Sequence, residues 1–528
     1  MRFAYNYSLT QATPAAILQA TEQAASQAPE KLQRLLGNDR LPYAVLLPKL
    51  HKPTIKFRVL TACNGVQLSR VGTWLTAIFR ALQPATHTLW QKEVNRGHLS
   101  GVGADAPFYL TKSSDVIKML SRFNARQIPA TEFWAAGGIQ GFDWTEMYPR
   151  LPAADLRGRF ITEGMRPCWH TNDRTGPAGA AYTDPVVKVH KCKSVKAIWY
   201  RDLEFAIEKN QRSGLDGLDE EGDPTGAIIT GRDRDGEFII VTLAQAEALY
   251  LFLLDHAYIK VYADVLRQLR GIPMGISPEV YIANFMAFVY ELAFLRRLVD
   301  VILASNPDPA FDNLGPCFLE DPAQYAPYRG NAARYIWKCF SFTGRFVDDL
   351  EYIFNPLAKK LMHRDQTLAN GSFCGCYPRE TPIEPQQHTD PARFPFLDTL
   401  QLPRTHPTTL CVSIQSHLYD KRRERCYKDI HVVQYTPPSA DLSNSCLYNI
   451  FVGQLYRFQG IITEVHNYQE EVALLLHKLV SVGYKFDILH RKLKAHLSRH
   501  PTVSSNMPRS DLVSQIVSLY RQRHAGHQ

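Results

Sequence analysis

Three acids have the types and settings that phosphoryl-transfer chemistry uses. Asp143 closes the apolar stretch AGGIQGFD at 136–143, and Asp348 and Asp349, within FTGRFVDDLEYI at 342–353, form the only Asp-Asp pair in the chain. Two divalent ions about 3.5–4 Å apart can activate an attacking oxygen and stabilise a leaving one, which requires carboxylates converging from separate strands. Mg²⁺ takes few carboxylates and completes its octahedron with water and phosphate oxygens. A lone Asp-Asp pair is also an ordinary solvated turn, so the chemistry depends on the elements that position it.

Those elements are legible in outline. Residues 340–347 and 350–354 read as strands joined at Asp348-Asp349, a hairpin with carboxylates at its turn. Upstream, Gly271-Ile272-Pro273-Met274-Gly275 reads as a turn. Ser277-Pro278-Glu279 then starts a helix: a hydroxyl to cap, Pro at the first helical position and an acid near the positive end of the dipole. That apolar helix is expected to run to about residue 303. Short strands are expected at 43–47 and 56–61, a helix at 66–82 and a long helix at 243–269. Residues 370–392 read as loop, 394–402 with 410–419 as a β-hairpin, and 447–497 as helical. The acidic, Gly-rich stretch 213–236 lacks EF-hand spacing and reads as an exposed insertion.

Composition narrows the classes. A chain of 528 residues with 45% hydrophobic side chains, 30 Gly and 33 Pro has enough apolar surface for about three packed units, which excludes disordered and collagen-like chains. No apolar run approaches the roughly 20 residues that span a bilayer, so no membrane partner is expected. No secretory leader is evident, and ten scattered Cys make no disulfide framework, so an intracellular, reducing location is expected. Cys374 and Cys376 form an isolated C-x-C, read as idle thiols rather than a zinc site. The formal charge of +9 divides unevenly: +8 over residues 1–100, −6 over 101–400 and +7 over 401–528. Two basic ends around an acidic middle suit a polyanion held by flanking parts while carboxylates act between them.

Taken in order, these motifs resemble a known family. A basic strand pair, a strand ending in Asp, a GxPxG turn into a helix and a strand-DD-strand hairpin resemble the reverse transcriptase right hand. The wording resembles the Penelope-like retroelement branch, related to telomerase reverse transcriptase. LPKLHKPTIKFRVL at 47–60 is similar to the family's PKxHK…RPI fingers sequence, and GFDWTEMYPRLP at 141–152 to its FDxxxLYTNIP motif. RGIPMGISPEVYIANFMAFVYE at 270–291 resembles GIPMGTxxAPxLANLFLxxYE, and FTGRFVDDLEYI matches the RYxDD hairpin. FPFLDTLQL followed by HLYDKRRER resembles the FLDLxI…YxKxTD-like region, so the resemblance spans about residues 41–490.

The resemblance implies an α+β right-hand polymerase fold with fingers, a palm whose antiparallel sheet carries the acids, and a helical thumb. The implied division is an N-terminal helical extension at 1–40, fingers at 41–135, palm at 136–425, thumb at 426–500 and a C-terminal tail at 501–528. The palm would include the inserted loop 213–236 and a primer-grip-like hairpin at 394–419. It implies RNA-directed DNA polymerase activity with two Mg²⁺ ions, Mn²⁺ as a substitute, and an RNA template, DNA primer and deoxynucleoside triphosphates as partners. Asp143, Asp348 and Asp349 would be the catalytic, metal-binding acids. Lys52, Lys56, Arg58, Tyr148, Met274 and Gly275 would bind the nucleotide, with Tyr148 as a steric gate beneath its sugar. Phe396, Leu397, Asp398, Lys421, Arg422 and Arg423 would hold primer and template.

Departures from the family pattern are Met147 and Pro149 in the first acidic motif and Glu279 after the turn. No GIY-YIG endonuclease pattern follows residue 497, so a separate endonuclease is the expectation. Two alternatives stand beside the polymerase: an inactive relative that only binds nucleic acid, and a telomerase-like reverse transcriptase. KRRER at 421–425 is compatible with nuclear location, favoured over the cytoplasm, and equally with a duplex contact or plain surface.

Overall fold

The computed structural model of the chain describes residues 6–27, 36, 40–49, 56–63, 65–96, 110–171, 187–190, 197–199, 238–273, 275–303, 340, 342–355, 358–359, 362–363, 375–386, 392–423, 434–440, 443–500 and 509–525. The fold mixes helices and antiparallel sheets. In chain order the first elements are β1 (Tyr7–Thr10), α1 (Pro14–Gln27), β2 (Tyr43–Lys49), β3 (Lys56–Ala62), α2 (Ser69–Val94), α3 (Ser113–Asn124), β4 (Ile139–Trp144) and the short α4 (Met147–Arg150). There follow β5 (Val187–His190), β6 (Ala197–Trp199), β7 (Phe238–Val241), α5 (Leu243–Asp255), β8 (Tyr258–Val261), β9 (Asp264–Gln268) and α6 (Glu279–Leu303). The remainder is β10 (Thr343–Phe346), β11 (Asp349–Ile353), β12 (Ile383–Pro385), β13 (Phe394–Phe396), β14 (Thr399–Thr405), β15 (Val412–Leu418), α7 (Asn444–Ile461), α8 (Val465–Ser481), α9 (Phe486–Arg499) and α10 (Arg509–Ala525). Among the described residues no helix is long and apolar enough to cross a membrane.

A five-stranded sheet in the order β1-β9-β8-β2-β3 gathers segments far apart in sequence. Its composition corrects two expectations. The N-terminal segment is not purely helical, because Tyr7–Thr10 pairs along β9 before α1 begins. The long helix expected at 243–269 stops at Asp255, where His256 Nδ1 meets the Phe252 carbonyl at 2.9 Å, and the rest becomes the β8–β9 hairpin. Tyr258-Ile259-Lys260-Val261 alternates with β-branched residues at period two, and pairing on both sides outweighs the helical spacing of its apolar residues. The helix expected at 66–82 instead continues to Val94, carrying Pro84 inside it. A small sheet, β6-β5-β7, lies with β5 and β6 against α2, and the 213–236 stretch lies outside the described residues.

The central sheet has the order β10-β11-β4-β12, all antiparallel. Alternation sends Phe142, Trp144, Leu350 and Tyr352 to one face, and all four are buried. Helix α6 covers that face: Tyr290 packs on Trp144 with ring centroids 6.4 Å apart. Its run Phe285, Met286, Ala287, Phe288, Val289, Tyr290 is buried all round, as expected of a helix apolar on every side.

Strands β13-β14-β15 form a third sheet. The strand expected at 394–402 is interrupted, because Leu397 takes a left-handed backbone (φ 54°) and splits it into β13 and β14. The C-terminal helices have their own core, including Phe451, Leu455, Val472, Leu476, Leu489 and Leu493. The tail is part of it: α10 buries Leu512 and Ile516 there. Thr463, between α7 and α8, hooks this bundle to β15 by donating its N–H to the Ser416 carbonyl at 3.0 Å.

Candidate active site

The central sheet brings the acids together. Asp143 is the penultimate residue of β4 and Asp349 opens β11, where the two are direct cross-strand partners. Asp348 sits in the two-residue turn joining Phe346 to Asp349, and its carbonyl accepts the Trp144 N–H at 2.8 Å. The turn begins with Val347 at φ 57°, a left-handed conformation that a β-branched residue adopts only at a cost of about 1–3 kcal/mol. Something must hold it.

Arg345 does so from beneath the sheet. Its Nη1 donates to the Val347 carbonyl at 3.1 Å and to Asn284 Oδ1 at 2.9 Å. Its Nε and Nη2 fork onto the Glu291 carboxylate of α6, and both side chains are fully buried. Tyr377 donates its hydroxyl to the same carboxylate at 2.8 Å. Burial pushes the Glu291 carboxyl up, opposed by the Arg345 charge and these hydrogen bonds. The hairpin is thus tied to the helix behind it by a satisfied, water-excluded network.

On the opposite face the three strands present a row: Asp349, Asp143 and, on β12, the exposed Glu384, which is Asp143's cross-strand partner. Partial burial, with the charges of Asp348 and then Asp143, raises the Asp349 carboxyl to about 7, while Lys421 and a hydrogen bond from Gln386 pull it down. Gln386 Nε2 donates to Asp349 Oδ1 at 3.0 Å. Further along that face Glu351 is fully buried and its carboxyl is pushed up to about 8 by burial, opposed by Gln401. The row therefore runs from an open acidic end into closed core. Its donors are all oxygen, the set that suits Mg²⁺ or Mn²⁺. Among the described residues no three His, Cys, Asp or Glu side chains make a ready-made metal cage.

The 271–275 turn abuts the acids' strand exit. Tyr148, on α4 and half-buried against the main core, accepts the Ile272 N–H on its backbone carbonyl at 2.8 Å, and Gly271 N donates to the Leu151 carbonyl at 3.0 Å. A Cβ at Gly271 (φ 75°) would collide with the Tyr148 carbonyl, and one at Gly275 (φ 86°) with the Thr61 carbonyl of β3. Gly275 N donates to Glu279 Oε2 at 2.5 Å, which gives the unusual acid a role in closing the turn. Lys52 and Met274 lie outside the described residues. Lys56 and Arg58 are placed on β3, opposite Lys49 and Leu47, and their side chains are outside the description.

The expected primer and template contacts are differently employed. Phe396 is 2% exposed, packed in the core with Phe394, Val412 and Ile414, so it cannot reach a nucleic acid from there. Leu397 is the turn residue, and Asp398 pairs with Arg457 of α7 at 3.1 Å. Arg422 forks onto Asp420 at 2.7 and 3.0 Å, and Arg423 onto Glu471 of α8 at 2.5 and 2.6 Å. The Asp398–Arg457 and Arg423–Glu471 pairs tie the third sheet and the segment after β15 to the helical bundle, while Arg422–Asp420 is a local pair two residues apart. Lys421 is exposed, with its charge felt at Asp349. Cys376 is buried with its thiol held far above the usual range, which keeps it from thiolate chemistry.

Residues that spacing did not single out are Arg345, Glu291, Asn284, Tyr377 and Gln386. One indication was present: Asn284 and Glu291 interrupt an otherwise apolar helix, and a buried polar residue needs a partner. Gln386 carried none, because its segment read as loop.

No protein-family model matches the chain, and no curated protein matches it. Among solved structures the chain is similar to telomerase from Candida albicans in complex with a fragment of telomeric RNA, with 12% identity and a TM-score of 0.45 over 97% of this chain and 70% of that one. It is also similar to apo telomerase from Candida tropicalis, with 10% identity and a TM-score of 0.35 over 97% of this chain and 77% of that one.

Proposed function

We propose that the chain is an RNA-directed DNA polymerase of the Penelope-like type. The observation that carries the reading is the convergence of Asp143, Asp348 and Asp349 from two paired strands onto one open sheet end. The central sheet corresponds to a palm, the β1-β9-β8-β2-β3 sheet to fingers and the α7–α10 bundle to a thumb. In the reaction a primer 3′-hydroxyl loses its proton and bonds to the α-phosphorus of a deoxynucleoside triphosphate, while the α–β bridging bond breaks and pyrophosphate leaves. Two Mg²⁺ ions, or Mn²⁺, would supply charge neutralisation for the attacking and leaving oxygens. Asp143 and Asp348 would hold them with Asp349 alongside, and the burial and neighbouring carboxylate charges that raise Asp349 are what a cation would offset.

Primer extension tests the reading. The expected result is Mg²⁺-dependent incorporation of deoxynucleotides on an RNA template; salt-sensitive binding with no incorporation under either metal would replace it with a binding-only protein.

Tyr148 is the proposed sugar gate, since the Ile272 N–H holds its backbone carbonyl on α4, just past the strand that carries Asp143. Tyr148→Ala is expected to raise ribonucleotide incorporation relative to deoxynucleotide by about a hundredfold, the discrimination a shaped pocket supplies. Single-nucleotide kcat/KM ratios measure this, and an unchanged ratio removes the gate.

The Asp349 shift also has a sign. With its carboxyl raised to about 7, the stability this group contributes is full below the ordinary Asp range and is lost as pH rises through about 7. A divalent cation offsets that loss only where the group is ionised. Thermal scans are therefore expected to show Mg²⁺ raising Tm by a few degrees at pH 8 and by far less at pH 5. Equal shifts at both would contradict the assignment.

A further inference from the structure

We propose that Gln386 is a positioning residue that fixes the Asp349 carboxylate through a gap in strand β4. The inference rests on the polymerase reading and adds a residue outside every motif used for it. Gln386 follows β12 and extends its ladder by one step, its N–H donating to the Gly141 carbonyl at 2.8 Å. Pro385 pairs with Phe142 on the helix-facing side, so alternation returns Gln386 to the face of Glu384, Asp143 and Asp349. Its amide must then cross the whole of β4, because β12 and β11 are separated by that strand, a span of about 9–10 Å.

The crossing is possible only at Gly141. A Cβ there would stand 2.8 Å from Gln386 Oε1 and 2.6 Å from Phe394 Cζ, closer than real Cβ contacts come. The glycine leaves a slot, the long amide fills it, and Nε2 reaches Asp349 Oδ1 at 3.0 Å. Asn would fall one methylene short. Glu in its place would put a further carboxylate against the acids. The bond engages one carboxylate oxygen, Oδ1, and so sets the orientation in which Oδ2 faces its surroundings. Gln suits this task because its amide donates without adding charge.

The test compares the full chain with Gln386→Met, which keeps length and removes both donors, and with Gln386→Glu. Mn²⁺ affinity is read by electron paramagnetic resonance of the free ion, alongside kcat, KM for deoxynucleotide and Tm. Loss of a group that orients a metal ligand costs about 10–100-fold in metal affinity or activity. The expected result is a loss of that size in Mn²⁺ affinity and kcat for both variants, with KM changed less than about twofold. Gly141→Ala, which blocks the slot, is expected to act in the same direction. Wild-type affinity and kcat in Gln386→Met, or a lowered Tm with unchanged Mn²⁺ affinity, overturns the inference and leaves the polymerase reading standing. A wild-type chain that neither binds Mn²⁺ nor incorporates nucleotide removes both.

Discussion

Asp348→Asn and Asp143→Asn are each expected to lower primer extension by at least about a thousandfold while leaving the chain folded. The size follows from the role: charge neutralisation at a transferring phosphoryl group is worth several kcal/mol, and about 4 kcal/mol is a factor of a thousand. The fold survives because these side chains sit at the open end of the sheet. The Asp348 backbone carbonyl, which bonds Trp144 N at 2.8 Å, is unchanged by the substitution. Removing negative charge also relieves Asp349, so thermal stability without metal should rise slightly. Extension kinetics with thermal scans check both halves, and near-wild-type extension by Asp348→Asn would reject its assignment.

The second large effect is on stability. Arg345→Ala leaves the fully buried Glu291 carboxylate without its countercharge and frees the Val347 carbonyl. Breaking one side of a buried pair costs about 3–5 kcal/mol. Urea unfolding should show that loss. Replacing both partners, Arg345→Met with Glu291→Leu, should recover most of the stability, because a buried pair often exchanges for apolar packing at little net cost. Extension should stay depressed in the double variant, because the bond from Arg345 to the left-handed turn is absent. Recovery of extension along with stability would show that the network serves packing alone.

The acids, their strands and the long apolar helix were readable because each is a local pattern. Asp143 is the penultimate residue of the strand IQGFDW, the Asp-Asp pair lies between two runs of β-formers, and α6 is apolar at every turn. Phe396, Arg422, Arg423 and Asp398 were legible as types only. Which partner a charged side chain meets depends in part on the element that packs beside it, as Glu471 of α8 does for Arg423 and Arg457 of α7 for Asp398, whereas the Asp420 partner of Arg422 is local. The 243–269 stretch failed for a related reason: its C-terminal half takes the strand pairing offered by β1 and β2.

By itself the sequence determined the chemistry on offer: three carboxylates at strand ends, basic termini around an acidic middle, and glycines where backbone must approach backbone. Those follow from side-chain type and short-range periodicity, which are properties of neighbouring residues. Only the tertiary structure decided how the carboxylates are held. The buried Arg345–Glu291 pair under the turn, the Glu384 neighbour across β4 and the Gln386 amide passing over Gly141 join residues 37 to 245 positions apart or depend on an intervening strand. Such contacts arise from sheet order and register, which long-range packing sets and no local pattern encodes.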